Sequence, residues 1–234
     1  MVIYFKNVPA WESKGIKGML GKFTTLSGKN IRRQSIKMKG KKASDIGIEI
    51  KHSTMELSKA NNLLIWTIGH STKDFIEFID LLKINDIQML VDVRNFPGSR
   101  RYPHYNKDFL ENALPEAGIR YTHLKALGGR RKPNPGSIND AWRNDAFKGY
   151  ADYMEGEAFQ HAITELQQIA LSMNTVYMCS EAVWWRCHRS LISDYLKVRG
   201  WKVLHILSPT KVEEHPYTSA ARIVSGELTY GKLD

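Results

Sequence analysis

Residues able to carry out chemistry cluster between positions 179 and 189 of this sequence. Cys179 ends an apolar stretch typical of a buried strand, and a helix is predicted to begin at Arg189. Free N–H groups and the dipole at a helix start lower the pKa of a nearby thiol. We therefore predict that Cys179 is a nucleophile that carries sulfur, an acyl group or a phosphoryl group. The alternative is a buried, unreactive cysteine.

Two carboxylates indicate a different chemistry at the same place. Glu181 lies two residues after Cys179, and Asp92 ends another predicted strand. Either carboxylate could activate water or stabilise a developing cation if burial or a neighbouring arginine tunes its pKa. The alternative is an ion pair with Arg94 or Arg189.

Two histidines are candidates for proton transfer. His70 directly follows the first predicted strand, and His188 lies at a helix start, where it could equally cap the helix. A zinc site built from Cys179, Cys187 and His188 is disfavoured, because seven residues separate the cysteines and zinc sites usually pair them at shorter spacing. No Walker loop or GxGxxG motif follows a strand. We expect no metal and no cofactor.

Basic, hydroxyl and aromatic side chains around these residues favour a phosphate-bearing substrate. Arginine and serine bind phosphate, and aromatic rings stack on bases, although the tryptophans could equally serve core packing. The predicted substrate-binding residues are Ser71, Arg94, Pro97, Ser99, Arg100, Tyr102, Arg130, Trp184, Trp185, His188 and Arg189.

Alternating strands and helices must position these residues. Apolar runs predict strands at 63–68, 87–93, 119–123, 175–179 and 202–207, and periodic segments predict helices at 71–82, 107–116, 139–154, 157–172 and 189–199, with a loop at 128–137. This order predicts an α/β domain with an open, mostly parallel sheet and helices on both faces. Ligands bind beyond the carboxyl ends of such strands, so we expect one shared cavity there.

Charge divides the chain into two parts. Residues 1–60 contain thirteen Lys and Arg against four Asp and Glu, whereas the rest of the chain is nearly neutral. We predict a basic, poorly ordered N-terminal extension over 1–60 and one α/β domain over 61–234. The basic part favours nucleic acid as a partner, DNA above all; a solvated tail is the alternative. No membrane-crossing run and only two cysteines predict a cytoplasmic protein.

Several motifs resemble the DUF488 family, over residues 63–230. They are TIGHST (67–72), Asp92-Val-Arg94 with Pro97, Ser99 and Arg100, LGGR (127–130), Cys179-Ser-Glu181, Cys187-His-Arg189 and the tail from His215 to Tyr230. The resemblance implies a distantly rhodanese-like fold, in which Cys179 would carry a persulfide. It also implies nucleic-acid processing, in which Asp92 or Glu181 would assist cleavage of an N-glycosidic bond.

Three functions follow from these observations. The leading hypothesis is a nucleic-acid-directed hydrolase, of the type that excises modified bases from DNA, with a carboxylate and arginine pocket. The first alternative is a rhodanese-like sulfurtransferase that uses Cys179. The second is a non-catalytic module that binds nucleotides or anions.

Overall fold

A computed structural model describes residues 63–232 of the chain. The predicted basic extension at 1–60 lies outside the described residues, so its poor order and its partner stay predictions. Within the described part, no helix combines the length and the apolar character that crossing a membrane requires.

A six-stranded sheet forms the centre of the domain, in the order β3-β2-β4-β1-β5-β6. Neighbouring strands among β1 to β5 pair in parallel, and β6 joins the edge antiparallel to β5. The predicted mostly parallel α/β sheet is confirmed. The strands are β1 (Leu64–Gly69), β2 (Met89–Asp92), β3 (Arg120–His123), β4 (Thr175–Cys179), β5 (Lys202–Ser208) and β6 (Lys211–Glu214).

Helices cover both faces of this sheet. Side chains alternate between the faces along a strand, so Leu90 and Met178 enter one core cluster while Val91 and Tyr177 enter the other. The first cluster packs against α1 and α2, the second against α3, α4 and α5. The helices are α1 (Phe75–Ile84), α2 (Lys107–Glu116), α3 (Asp145–Met154), α4 (Glu157–Ser172) and α5 (Arg189–Val198), with 3₁₀ turns at Pro103–Tyr105, Lys125–Leu127 and Trp184–Arg186.

The start of α1 differs from the prediction. Ser71 and Thr72 were the expected caps, but Ser71 has a φ of 51°, a left-handed conformation, and the cap is Asp74. The Asp74 carboxylate accepts a hydrogen bond of 2.8 Å from the N–H of Glu77. Residues 70–74 therefore form a turn at the strand end, and the helix begins at Phe75.

The predicted helix at 139–154 is also too long. It begins at Asp145, because the Asn144 side chain accepts hydrogen bonds from the N–H groups of Ala146 and Phe147 and caps it there. Two short C-terminal features escaped prediction, the edge strand β6 and the hairpin of β7 (Arg222–Val224) and β8 (Glu227–Thr229). Strands of three or four residues carry too little periodicity to be recognised.

Candidate functional site

A cavity of about 280 Å³ opens at the carboxyl ends of β2 and β4, near the small end of the range for ligand pockets. The loop after each strand, the loop at 129–130 and the start of α3 enclose it. Its lining residues are Arg94, Asn95, Phe96, Gly129, Arg130, Asn144, Ala146, Phe147, Cys179, Ser180, Glu181, Arg186, Cys187 and His188.

The cavity brings together only part of the predicted site. Five predicted residues line it: Arg94, Arg130, Cys179, Glu181 and His188. Three are buried next to its wall without lining it: His70, Asp92 and Arg189. The remaining predicted substrate-binding residues lie outside the lining: Ser71, Pro97, Ser99, Arg100, Tyr102, Trp184 and Trp185.

Asp92 forms a buried ion pair with Arg94. Its carboxylate is 0% exposed and accepts hydrogen bonds from Arg94 Nε, at 2.9 and 3.0 Å, and from the Tyr121 hydroxyl at 2.9 Å. Burial disfavours the charged form of Arg94, but its hydrogen bonds to Asp92 and the negative charge of Asp92 prevail and raise the pKa of Arg94. The ion pair that the sequence left as an alternative is thus the arrangement observed, and it holds Arg94 against the cavity.

His70 belongs to the same buried layer. Its Nε2 lies 3.3 Å from Arg94 Nη1, which can only donate, and its Nδ1 donates to the carbonyl of Ser71 at 3.0 Å. The ring stacks on Tyr105 with centroids 3.9 Å apart. Burial, then the charge of Arg94, lowers the pKa of His70 to about 4. His70 is therefore a neutral acceptor for Arg94 at neutral pH.

The deepest reactive groups are two thiols and an imidazole. Atoms of Cys179, Cys187 and His188 lie within 4.8 Å of one another, and Cys187 Sγ lies 3.5 Å from His188 Nδ1. His188 Nε2 lies 3.2 Å from the Val93 carbonyl oxygen, which can only accept, so Nε2 carries the hydrogen. The lone pair of Nδ1 consequently faces the thiol of Cys187 and is placed to take its proton.

Arg189 supplies a positive charge behind Cys187. It is 1% exposed, and it donates to Thr67 Oγ1 at 2.9 Å and to the Glu181 carbonyl at 2.7 Å. Among residues 63–232, its Nε has no hydrogen-bond partner and no carboxylate forms a salt bridge with it. A buried cation requires a counter-charge. Cys187, at the N-terminus of α5, is the neighbouring group that can provide one as a thiolate.

Ionisation is divided unequally between the two cysteines. Burial favours the neutral thiol of Cys187, but the hydrogen bond from Cys179 and the charge of Arg189 prevail and lower its pKa to about 6. The hydrogen bond to Cys187, together with burial, raises the pKa of Cys179 to about 12. At neutral pH the pair therefore holds one thiolate, on Cys187, and one thiol, on Cys179.

These three residues also have the donor types of a zinc site, and the seven-residue gap does not keep the two sulfur atoms apart. A single thiolate on Cys187 balances the charge of Arg189 directly. Two thiolates and Zn²⁺ sum to zero, so a zinc site would balance Arg189 only through an anionic fourth ligand on the metal.

Sequence reasoning missed several residues of the cavity. It chose Cys179 as nucleophile over Cys187, although the position of Cys187 directly before a predicted helix was a usable signal. It also missed Asn95, Phe96, Asn144, Phe147 and Arg186, since nothing in their spacing distinguishes them. Gly129 belongs to the LGGR motif, but the sequence assigned it no function. In the structure it lies against His188, since a Cβ at this position would be 2.8 Å from His188 Nδ1.

Comparisons with known proteins give one match. No curated protein and no solved structure matches the chain. A family model described as "Domain of unknown function DUF488" matches residues 74–196, which is more than half of the chain. The matched region extends from the residue before α1 into α5 and includes Cys179, Glu181, Cys187 and His188. The chain therefore belongs to the DUF488 family.

Proposed function

We propose that this protein is a sulfurtransferase in which Cys187 accepts a sulfane sulfur atom from a small anionic donor. The observation that carries the proposal is the buried Arg189 beside Cys187, a cation for which no carboxylate among residues 63–232 provides a partner. The proposal keeps the sulfurtransferase alternative and transfers the nucleophile's role from Cys179 to Cys187.

The reaction at Cys187 requires a thiolate and positively charged side chains that attract an anionic donor. With thiosulfate as donor, the Cys187 thiolate attacks the outer sulfur, the sulfur–sulfur bond breaks, and sulfite leaves with the bonding electron pair. Cys187 is left as a persulfide. Arg130 and Arg186 line the cavity and attract the dianionic donor, whereas the charge of Arg94, which also lines it, is paired with Asp92.

Mass spectrometry of the full-length protein tests this step. In Cys179→Ser, where Cys187 is the remaining thiol of the cavity, incubation with thiosulfate followed by alkylation should add the mass of one sulfur atom to the peptide containing Cys187. The gain should be absent when Cys187 is also replaced by Ser. Arg186→Gln should slow the gain, whereas Arg120→Gln should not, because Arg120 begins β3 at the amino ends of the parallel strands, while the cavity lies at their carboxyl ends. An unmodified Cys187 at saturating thiosulfate would contradict the proposal.

A second candidate remains the nucleic-acid-directed hydrolase of the base-excision type. The observation that favours it is the lining of the same cavity, which Glu181 shares with Arg130, Arg186 and Phe96, a residue that is 65% exposed. Arginines would bind phosphates, Phe96 would stack on a base, and Glu181 would activate water. The basic segment before residue 61 would add affinity for DNA.

Two measurements test the hydrolase. Fluorescence polarisation with duplex DNA should show affinity that falls steeply as salt rises, and a flat salt response would count against DNA as partner. Glu181→Gln should abolish release of a modified base. Asp92→Asn should also impair it, but indirectly, because Asp92 holds Arg94. Full base release by Glu181→Gln would end the hydrolase proposal.

The third alternative, an anion-binding module without catalysis, predicts thiosulfate binding with no change in the mass of Cys187. Both cysteines are free, which supports the proposal of a reducing, cytoplasmic location.

A further inference from the structure

The cavity wall presents two thiols where a simple sulfur carrier needs one. Cys179 ends β4 and Cys187 precedes α5, and the sulfur atoms of both lie within 4.8 Å of each other. A disulfide requires about 2.05 Å between sulfur atoms, so a side-chain displacement of less than about 3 Å would join them. A persulfide built on Cys187 would therefore form within reach of a second thiol.

We propose that Cys179 is a second catalytic thiol, which discharges the Cys187 persulfide as hydrogen sulfide and forms a Cys179–Cys187 disulfide. This inference rests on the proposed function of Cys187. It makes the protein a sulfide-releasing enzyme whose partner is a dithiol reductant, because the disulfide must be reduced before another turnover.

Cys179 sulfur attacks the Cys187 sulfur of the anionic persulfide, and the bond between the two persulfide sulfur atoms breaks. The outer sulfur leaves as hydrosulfide, HS⁻, with the electron pair of that bond and the proton that Cys179 gives up. The outer sulfur is reduced to sulfide, and the two cysteine sulfurs are oxidised to a disulfide. A dithiol then reduces that disulfide and is itself oxidised to a cyclic disulfide.

The surroundings of Cys179 suit it to act second. Before sulfur transfer, the neighbouring Cys187 and burial raise the pKa of Cys179, and the proton therefore stays on Cys179. After transfer, the charge lies on the outer persulfide sulfur, so the inner Cys187 sulfur no longer holds that proton. The imidazole of His188 is within 4.8 Å and favours ionisation of Cys179. Cys179 is thereby activated only once Cys187 is loaded.

A role in packing alone predicts different behaviour. Cys179 is buried at the end of a central strand, where a cysteine can serve as a small apolar side chain. In that case the persulfide on Cys187 would persist, and the sulfide released would not depend on Cys179.

Single-turnover chemistry without reductant tests the inference. The full-length protein, Cys179→Ser and Cys187→Ser are incubated with thiosulfate, alkylated, and examined by peptide mass spectrometry, with released sulfide measured in parallel. We expect the unsubstituted protein to form the disulfide between the two peptides and to release about one equivalent of sulfide. Cys179→Ser should retain the persulfide and release at least about tenfold less sulfide, and Cys187→Ser should show neither product.

The outcomes separate the two proposals. A stable persulfide on Cys187 of the unsubstituted protein, with no disulfide, would overturn the role of Cys179 and leave sulfur transfer intact. Absence of a persulfide from Cys179→Ser, together with absence of both persulfide and disulfide from the unsubstituted protein, would overturn the proposed function itself. The disulfide measurement uses the unsubstituted protein, so a folding defect in Cys179→Ser would not obscure the result.

Discussion

Arg189 determines the chemistry of its neighbours at the scale of single residues. Its guanidinium is fixed by Thr67 Oγ1 and by the Glu181 carbonyl, and neither group neutralises its charge. Cys187 lies two residues before Arg189, whose Nε lacks a hydrogen-bond partner among residues 63–232. A thiolate on Cys187 balances the charge of Arg189, and that charge in turn stabilises the thiolate.

Replacement of this cation should deactivate Cys187. In Arg189→Met we expect the midpoint pH of Cys187 alkylation to rise by about one unit or more, because the thiolate loses its counter-charge. Arg189→Lys should restore part of the shift. Thr67→Val is the matched control, since it removes one hydrogen bond of Arg189 and no charge. An equal midpoint in Arg189→Met and the unsubstituted protein would contradict the pairing.

For single residues, the sequence predicted which side chains lie close together better than it predicted what each of them does. Placing Cys179, Glu181 and Arg94 at one edge required only that parallel strands end together. Whether Asp92 is reactive or ion-paired depends on its burial and on the conformation of the Arg94 side chain. Neither can be read from the spacing of residues in the sequence. The same holds for the two cysteines, because the difference in their pKa values comes from contacts with each other and with Arg189.

Close backbone packing of loops shapes the cavity at the scale of elements. The backbone of Gly129 lies against the ring of His188, and that of Gly69 lies against the carbonyls that follow Cys179. A Cβ on Gly129 would be 2.8 Å from His188 Nδ1, closer than normal contact allows. The LGGR motif therefore holds the imidazole in the position that faces Cys187.

Gly129→Ala tests this contact. The added methyl should displace the His188 ring, and we expect persulfide formation on Cys187 to slow by about ten- to a hundredfold, because misplacement of a catalytic group by about 1 Å has effects of that size. Gly98→Ala is the matched control, since no atom lies within 4 Å of the Cβ it would gain. Equal rates in the two variants, with equal melting temperatures, would contradict the positioning role.

Element boundaries were predictable where periodicity is long. The helix at 157–172 and the strand at 175–179 are confirmed at both ends. The start of α1 was missed because Asp74 is as good a cap as Ser71, and only the backbone conformation of Ser71 decides between them. The sequence pattern predicts helix over residues 139–144, but in the structure the Asn139 amide donates to the buried Asp152 carboxylate.

A network around Asp194 joins the C-terminal segment to the rest of the molecule. Asp194, on α5, is 0% exposed and accepts hydrogen bonds from His215 Nε2 at 3.0 Å, from Thr218 N–H at 2.9 Å and from the Tyr230 hydroxyl at 3.0 Å. His215 in turn contacts His205 of β5 at 2.9 Å. Since α5 also begins beside Cys187, this network stabilises the helix that carries the site.

Asp194→Asn should therefore destabilise the whole domain. The amide of asparagine places an NH₂ group, a hydrogen-bond donor, where a carboxylate oxygen accepts hydrogen bonds from the surrounding groups. We therefore expect the free energy of unfolding to fall by about 2–4 kcal/mol. Urea denaturation followed by tryptophan fluorescence measures this. Glu165→Gln on the exposed face of α4 is the control and should change stability by less than about 0.5 kcal/mol. Equal stability of both variants would contradict the account.

The sheet order of the whole molecule was predictable only in outline. Alternating strands and helices were sufficient for a parallel sheet with two covered faces, but not for the order β3-β2-β4-β1-β5-β6. The position of the C-terminal segment could not be predicted from the sequence. Asp194 holds it through partners about twenty to thirty-five residues later in the chain, and contacts over such separations leave no local sequence pattern.

The central claim is that Cys187 is the thiolate of the site at neutral pH. The most direct test is the pH dependence of iodoacetamide alkylation in the full-length protein, followed separately for the Cys179 and Cys187 peptides. Because the pKa of Cys187 is lowered to about 6, its alkylation should reach half its maximal rate near that pH and level off above it, while Cys179 should stay unreactive through neutral pH. Half-maximal alkylation of Cys187 above neutral pH, or faster alkylation of Cys179, would contradict the claim.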